Sequence, residues 1–145
     1  MTPEQIQLVR SSFALVEPIQ EQAAVIFYRR LFDLDPHIAG LFAGTDMDRQ
    51  RKVLMQTLTV VVKGLDRLDQ IGPAVVALGE RHVDYGVRAE DYATVGAALV
   101  WTLGQGLGPA FTPAVSEAWQ AAFGLLAGVM IGAAERRTVE TEVAA

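Results

Sequence analysis

Three polar side chains interrupt apolar stripes, and their types could bind or orient a small ligand. His82 follows Val75 and Leu78 at helical spacing, so it lies on the apolar face of its helix. Tyr28 lies on the inward face of an earlier helix, and Gln50 heads the apolar stripe of another. A buried polar group without a partner costs about 1–3 kcal/mol, so each of the three must bond a nearby group or a ligand.

The residues alone leave the role of His82 open. A histidine on an apolar face is commonly a core residue bonded to the backbone, yet one histidine is enough to ligate a metal that arrives in a preassembled cofactor. The other histidine, His37, follows Pro36 and is expected at the surface. Because the chain has no cysteine, a disulfide, an iron–sulfur cluster, a zinc ribbon and a thiol nucleophile are excluded. Tyr28 and Gln50 are equally open between core hydrogen bonds and a shared ligand pocket.

The composition is that of one folded domain. The chain has 145 residues, 51% of them hydrophobic and 20% charged, which excludes disorder of the whole chain. Its net charge of −5 argues against binding to nucleic acid, which requires a basic face. The longest apolar stretch, Ala97 to Leu103, is far shorter than the roughly 20 residues of a membrane span. The N-terminus lacks a secretory signal, so we expect a cytoplasmic protein with no nucleic-acid or membrane partner.

Helical periodicity dominates the chain and predicts an all-α domain of six or seven helices over residues 1–137, with a disordered tail over 138–145. The β-branched run Thr57 to Val62 is assigned to a helix because no turn signal flanks it. The last helix carries the longest apolar stripe, which consists of Val115, Trp119, Ala122, Leu126, Val129 and Ala133. The first predicted helix starts at Pro3 within a Thr2–Gln5 capping box, the second covers about Ile19 to Leu34, and the third runs from Pro36 to Phe42. The fourth follows a cap at Thr45, and the fifth opens at Gly72 and Pro73 and ends at Gly86. The sixth covers about Glu90 to Leu107, and the last starts at Pro113.

In the order and at the intervals in which they occur, several segments resemble a globin. The resemblance runs from about Glu4 to Glu135. It implies the globin fold, a 3-on-3 helical sandwich of about seven helices around a haem. Two consecutive segments resemble the helix that carries the proximal histidine and the helix that follows it in bacterial flavohaemoglobin-type globins and in neuroglobin. They are Leu78-Gly79-Glu80-Arg81-His82 with Gly86-Val87, and Tyr92-Ala93-Thr94-Val95-Gly96. Leu31 to Pro36 with Leu41-Phe42 resembles the junction of helices B and C, and Leu107 to Pro113 with Trp119 resembles the junction of helices G and H.

The resemblance implies a non-covalently held haem b with His82 as the axial ligand of its iron. We expect the Nδ1–H group of His82 to donate to a backbone carbonyl, that of Leu78 one turn back. Phe42 is implied to lie against the haem face. The other residues implied to bind the cofactor here are Val87, Tyr92 and Val95.

On the opposite, distal side the resemblance places Tyr28, Gln50 and the apolar wall residue Leu54. This tyrosine–glutamine–leucine set resembles that of flavohaemoglobin-type bacterial globins, and it differs from the distal histidine of myoglobin or neuroglobin. Counting back from Leu58 gives Gln50 the distal position, whereas counting from the basic pair at 51–52 would give it to Arg49. We predict Gln50, because it keeps Leu54 in register.

The chain departs from the flavohaemoglobin pattern at two points. That family continues into flavin and nicotinamide domains, so we expect this chain to depend on an external reductase. Flavohaemoglobins also pair a glutamate with the tyrosine that Tyr92 matches. Counting from Trp119, the place of this glutamate falls on Ala134, and Glu135 follows it. One residue turns a helical side chain by about 100°, which leaves the proximal acid open.

The resemblance implies a haem protein that reversibly binds O₂ at a five-coordinate iron for storage or scavenging, with NO and CO as further ligands. One alternative is a nitric oxide dioxygenase that converts NO and O₂ to nitrate with an external reductase. Another is a sensor of sulfide, NO or redox state. A haem-free helical module of globin shape is a fourth, and it would leave His82, Tyr28 and Gln50 without a role.

Overall fold

A computed structural model describes residues 1–137 in full and the backbone alone as far as residue 144. The predicted tail over 138–145 lies outside the residues whose side chains are described. No strand occurs in residues 1–144, which confirms the all-α prediction. The elements are α1 (Pro3–Val16), α2 (Gln20–Leu34), α3 (Pro36–Leu41), α4 (Met47–Lys63), α5 (Leu68–Asp84), α6 (Asp91–Leu107) and α7 (Pro113–Ala144), with short 3₁₀ turns at Glu17–Ile19 and Gly108–Ala110.

Local sequence signals explain several of the helix ends. The Thr2 hydroxyl accepts from the Gln5 amide at 3.1 Å, and the Gln5 side chain accepts from the Thr2 amide at 3.0 Å, which completes the predicted capping box. Gly108 adopts a φ of +54° directly after α6, a conformation that only glycine adopts cheaply. The run Thr57 to Val62 is helical within α4, as predicted.

Two predicted helix starts are wrong. The cap of α4 is Asp46 and not Thr45, because the Asp46 carboxylate accepts from the amides of Asp48 and Arg49 at 3.1 and 3.3 Å. Helix α5 starts at Leu68, so Pro73 lies inside it and does not open it.

One position of the predicted α7 stripe is also wrong. Val129 is 40% exposed, and Met130 is buried in its place. The stripe steps by four residues from Leu126 to the next buried position and then by three to Ala133.

Helix α6 connects the three hydrophobic clusters formed by residues 1–137. The largest joins α1, α4, α6 and α7, and in it the Trp119 indole N–H donates to the Ser12 hydroxyl at 2.8 Å. A second cluster lies around α2 and α3 and receives Val95 from α6. A third lies between α5 and α7 and receives Tyr92 from α6. The same helix therefore presents side chains to both of the smaller clusters.

Helix α7 is unusually apolar. Its segment Pro113–Arg137 is long and apolar enough to cross a membrane by length and composition, and no other helix of the described residues meets that test. The expectation that no stretch of the chain is long and apolar enough to span a membrane is therefore wrong for this helix. Glu117 and Gln120 interrupt its apolar sequence without making the helix polar. In the fold, Val115 and Trp119 of this helix are buried in the largest cluster.

Candidate functional site

His82 lies in the last turn of α5 with one ring nitrogen occupied. Its Nδ1–H donates to the Leu78 carbonyl oxygen at 2.7 Å, as predicted. Burial lowers the pKa of His82, and the Leu78 hydrogen bond only partly offsets this effect. The imidazole is therefore neutral at pH 7, with the Nδ1 tautomer fixed. In the described part of the chain Nε2 has no hydrogen-bond partner, so its lone pair is available to a ligand.

The position of His82 is set by a main-chain contact one turn earlier. Gly79 packs so closely on α7 that a Cβ atom there would lie 2.7 Å from both the Cα and the carbonyl oxygen of Met130. Only glycine permits this approach. The contact brings the last turns of α5 against α7 and so fixes where the imidazole is presented.

Tyr92 of α6 stands beside His82 with an unsatisfied hydroxyl. The two ring centroids are 6.3 Å apart, and the Tyr92 hydroxyl is buried without a hydrogen-bond partner among the described residues. Burial raises the pKa of Tyr92, so the phenol is neutral. Glu135 is exposed and does not reach it, and Ala134 carries no carboxylate. A proximal tyrosine–glutamate pair is therefore not formed by these residues.

Tyr28 and Gln50 meet, although they lie on different helices. Tyr28 on α2 is 5% exposed, and the Gln50 Nε2 group on α4 donates to its hydroxyl oxygen at 3.1 Å. Burial raises the pKa of Tyr28, while the Gln50 hydrogen bond and Arg51 lower it by less, so the phenol keeps its proton at pH 7. A hydroxyl has one donor and two acceptor positions. Because Gln50 uses an acceptor position, the Tyr28 proton remains free to be donated to a third group.

Aromatic rings hold Tyr28 in place. The Phe27 ring meets it edge to face with centroids 5.0 Å apart, and the Phe42 ring does so at 5.5 Å. Phe32 packs at 5.9 Å from Tyr28 and at 5.4 Å from Phe42. Such pairs are each worth about 0.5–1.5 kcal/mol beyond their buried area, so the phenol has little rotational freedom.

The predicted site residues thus form two groups. Tyr28, Phe42, Leu54 and Val95 share the cluster around α2 and α3, and Gln50 joins it through its hydrogen bond. Tyr92 and Val87 share the cluster between α5 and α7 with Leu78, whose carbonyl holds His82. In the part of the chain described, the His82 ring contacts Tyr85 and Tyr92 but none of the rings around Tyr28.

Gln50 and Arg49 lie in different surroundings, and the assignment of Gln50 to the distal position stays a prediction. Arg49 is exposed, and its amide is bonded to the Asp46 cap. Gln50 is half-buried and faces Tyr28.

A charged network that the sequence did not suggest connects the two groups. Asp91 is 2% exposed, and its carboxylate accepts from the Arg88 amide and from Arg88 Nη2, each at 2.8 Å. Burial alone would raise the pKa of Asp91, but the Arg88 bonds outweigh it and lower this pKa. Arg88 Nη2 also lies 3.6 Å from Asp35, which caps α3 through the His37 amide at 2.9 Å. The segment after α5 is thereby tied to the α2–α3 junction, from which α3 leads to Phe42.

Two sequence signals could have revealed the missed residues. Phe32 stands one helical turn after Tyr28, at a spacing that brings side chains together on one face. Asp91 begins a helix that is otherwise free of charge, so its burial required a partner.

The arrangement suits a metal that arrives with most of its own ligands. Among the described residues, no group of three or more His, Asp or Glu side chains could hold a metal ion. A metal at His82 Nε2 would therefore need its remaining ligands from a cofactor or from a small molecule. The apolar side chains of the two clusters are of a kind that suits an apolar cofactor, and Tyr28 supplies a free donor.

A comparison with protein families matches residues 25–130 to the Globin family. The curated proteins that match include the flavohaemoproteins of Bacillus subtilis, 30% identical over 88% of this chain, and of Vibrio cholerae, 32% identical over 90%. The chain spans only about a third of the length of these relatives, 32% and 34% respectively.

Solved structures show the same fold. A bacterial globin from Campylobacter jejuni superposes with a TM-score of 0.82 and 26% identity over 93% of this chain and 97% of that one. A proposed nitric oxide dioxygenase from Rhodothermus marinus, engineered as a carbene transferase, superposes with a TM-score of 0.86 and 24% identity over 100% of this chain and 99% of that one. The globin match and the flavohaemoprotein relatives together imply that the chain binds haem.

Proposed function

The chain belongs to the globin family, and from this premise we propose that it holds haem b through His82 and reversibly binds O₂ on the side of Tyr28 and Gln50. When bound, haem supplies an iron at which a small gas can be coordinated and released. The protein's part is to present one neutral imidazole, to exclude water and to donate a hydrogen bond to the gas.

The axial role of His82 is supported by its hydrogen bond to Leu78. With Nδ1–H held by the carbonyl at 2.7 Å, the Nε2 lone pair points away from the backbone. The lowered pKa of His82 keeps protons from competing with iron for this nitrogen at neutral pH.

The observation that carries the O₂ proposal is the 3.1 Å bond from Gln50 Nε2 to the Tyr28 hydroxyl oxygen. It orients the phenol and leaves its proton for a ligand. A gas that gains negative charge on binding, as O₂ does, accepts this proton more strongly than CO. A hydrogen bond to a charged group is worth about 1.5–3 kcal/mol, or one to two decades in the rate of release.

A second candidate, nitric oxide dioxygenase activity, is supported by the flavohaemoprotein relatives and by the Rhodothermus marinus neighbour. It would require an external reductase as a partner. The unpartnered Tyr92 hydroxyl argues for the simpler role, because the described residues place no carboxylate behind the axial histidine to make it more electron-donating. The rate of reduction of the oxidised protein by a cellular reductase distinguishes the two functions.

The test of the O₂ proposal is the release rate in the Tyr28→Phe variant, measured by stopped-flow spectroscopy. We expect O₂ release to become about tenfold faster or more, and CO release to change by less. Tyr85→Phe is the matched control, because Tyr85 is 59% exposed and also contacts the His82 ring, at 5.8 Å. An unchanged O₂ release rate in Tyr28→Phe would show that Tyr28 does not bind the gas.

A further inference from the structure

We propose that the outer faces of α6 and α7 form an interface on which a second copy of this chain docks around a two-fold axis. The surface, called the α6–α7 face below, consists of the exposed residues of these helices between 93 and 129. It lies apart from the candidate haem site, and its argument does not depend on the proposed function.

The α6–α7 face is almost free of charge. Residues 92–134 contain a single charged residue, Glu117, although a fifth of the whole chain is charged. Depletion of charge marks the centre of protein interfaces more clearly than apolarity does. Large apolar side chains are also exposed here, with Trp101 at 39% and both Leu125 and Val129 at 40%.

Glycines line the middle of this face without a reason inside the chain. Gly124 and Gly128 follow each other at one-turn spacing within α7 and are exposed, and a Cβ atom added at either would meet nothing within 4 Å. Glycine inside a helix costs roughly 0.5–1 kcal/mol relative to alanine. A second helix that approaches closely would give these glycines a function that the single chain does not.

The face carries both a groove and a ridge. The groove measures about 610 Å³, and its only charged lining residue is Arg30, whose guanidinium lies over the Trp101 ring at 4.7 Å. It runs between α6 and the side of α7 that bears Gly124. Leu125 and Val129 each follow a glycine by one residue, which turns them about 100° further around the helix. They therefore form a ridge on the other side of the glycines.

The arrangement of groove, glycines and ridge across the face indicates that its occupant is a second copy of the chain. A two-fold axis at the glycines places the ridge of each copy over the groove of the other, so the surface is complementary to itself. The net charge of −5 makes two copies repel each other over the rest of their surfaces, and the uncharged face is where they can meet without that cost. A strongly charged partner protein would find only Arg30 and Glu117 here to pair with.

The size of the face predicts a reversible dimer. Two helices of this length measure about 25 Å by 20 Å side by side, which is about 500 Å² for each copy. The total of about 1,000 Å² is at the lower limit for specific interfaces. We therefore expect the dimer to dissociate on dilution.

Sedimentation equilibrium of the haem-loaded protein, from low micromolar to several hundred micromolar, tests this inference. We expect the apparent mass to rise towards two chains and the dimer Kd of Leu125→Glu to be at least tenfold higher. Leu15→Glu, at a leucine of α1 that is 57% exposed, is the matched control and should dimerise like the wild type. Gly128→Leu adds bulk without charge and favours the helix, so it should weaken the dimer while the chain stays folded.

Two results would overturn the proposal. One is a wild-type protein that keeps the mass of a single chain throughout, whether or not it co-sediments with phosphatidylcholine vesicles. Co-sedimentation would assign the face to a lipid surface. The other is a Leu125→Glu or Gly128→Leu variant that dimerises as tightly as the wild type.

Discussion

The two sides of the candidate site are held in place by different kinds of contact. Around His82 the decisive contacts involve the main chain, namely the Leu78 carbonyl and the approach of Gly79 to the backbone of Met130. Around Tyr28 they are contacts between side chains, three phenylalanine rings and one amide. The comparison indicates that the first side fixes one atom in place, whereas the second can be retuned by single substitutions without moving a helix.

The largest effect should come from removing the atom that the first side presents. We expect His82→Ala to lose the Soret band of bound haem, because His82 is the residue proposed to ligate the iron. His37→Ala is the control and should keep it, since His37 is exposed. Haem titration followed by absorbance measures both. A His82→Ala protein with the wild-type spectrum would remove the axial assignment.

The main-chain contact should be the next most sensitive feature. Gly79→Ala places a methyl group 2.7 Å from the Met130 backbone, and we expect it to lower the free energy of unfolding by about 1–3 kcal/mol. Gly128→Ala, in open space on α7, should instead raise it by about 0.5–1 kcal/mol. Urea unfolding of dilute protein gives both values. Equal effects of the two substitutions would contradict the special role of Gly79.

The network that ties the two sides together should matter less. Asp91→Ala leaves Arg88 without its buried partner, and we expect a loss of about 2 kcal/mol in unfolding free energy. Glu90→Ala removes another Arg88 partner, at 3.0 Å, but Glu90 is largely exposed and the change should stay within about 0.5 kcal/mol.

The pKa of Asp91 also gives the sign of a pH effect on this network. Because this pKa is lower in the folded chain than in the unfolded one, the unfolded state binds more protons, and stability rises with pH. The difference in unfolding free energy between wild type and Asp91→Ala should therefore have its full size at neutral pH and shrink as the pH falls below about 4. A difference that stays constant down to the acid limit would contradict the charged state of Asp91.

The smallest effect should come from Gln50, whose proposed role is to orient the Tyr28 hydroxyl toward a ligand. We expect Gln50→Leu to speed O₂ release by about threefold, the lower range for one neutral hydrogen bond. Gln56→Leu, at an exposed glutamine of the same helix, is the matched control. A larger effect than that of Tyr28→Phe would mean that Gln50 itself donates to the gas.

Helical periodicity predicted which residues face inward better than it predicted where the helices begin and end. Tyr28 and Gln50 were placed on inward faces from spacing alone, and they meet at 3.1 Å. The start of α5 was missed because its first turn is organised by the Arg67 carbonyl, which accepts from the Gln70 and Ile71 amides. A backbone acceptor has no sequence signature.

What the sequence could not supply were contacts between distant segments. The Arg88–Asp91 pair is local, but its link to Asp35 depends on how α3 meets the start of α6. The exposure of Val129 in place of Met130 likewise depends on where α5 lies against α7. Helical spacing allows either residue to be buried, and the packing partner decides between them.

The contact at Gly79 also bears on how this chain can change by mutation over time. Its partner is the backbone of Met130, so position 130 needs only an apolar side chain that fits the core. Position 79 accepts only glycine without a shift of the two helices. One contact thus leaves its two partners unequally free to vary, and a lineage that substituted Gly79 would have to reposition a whole helix to keep its histidine.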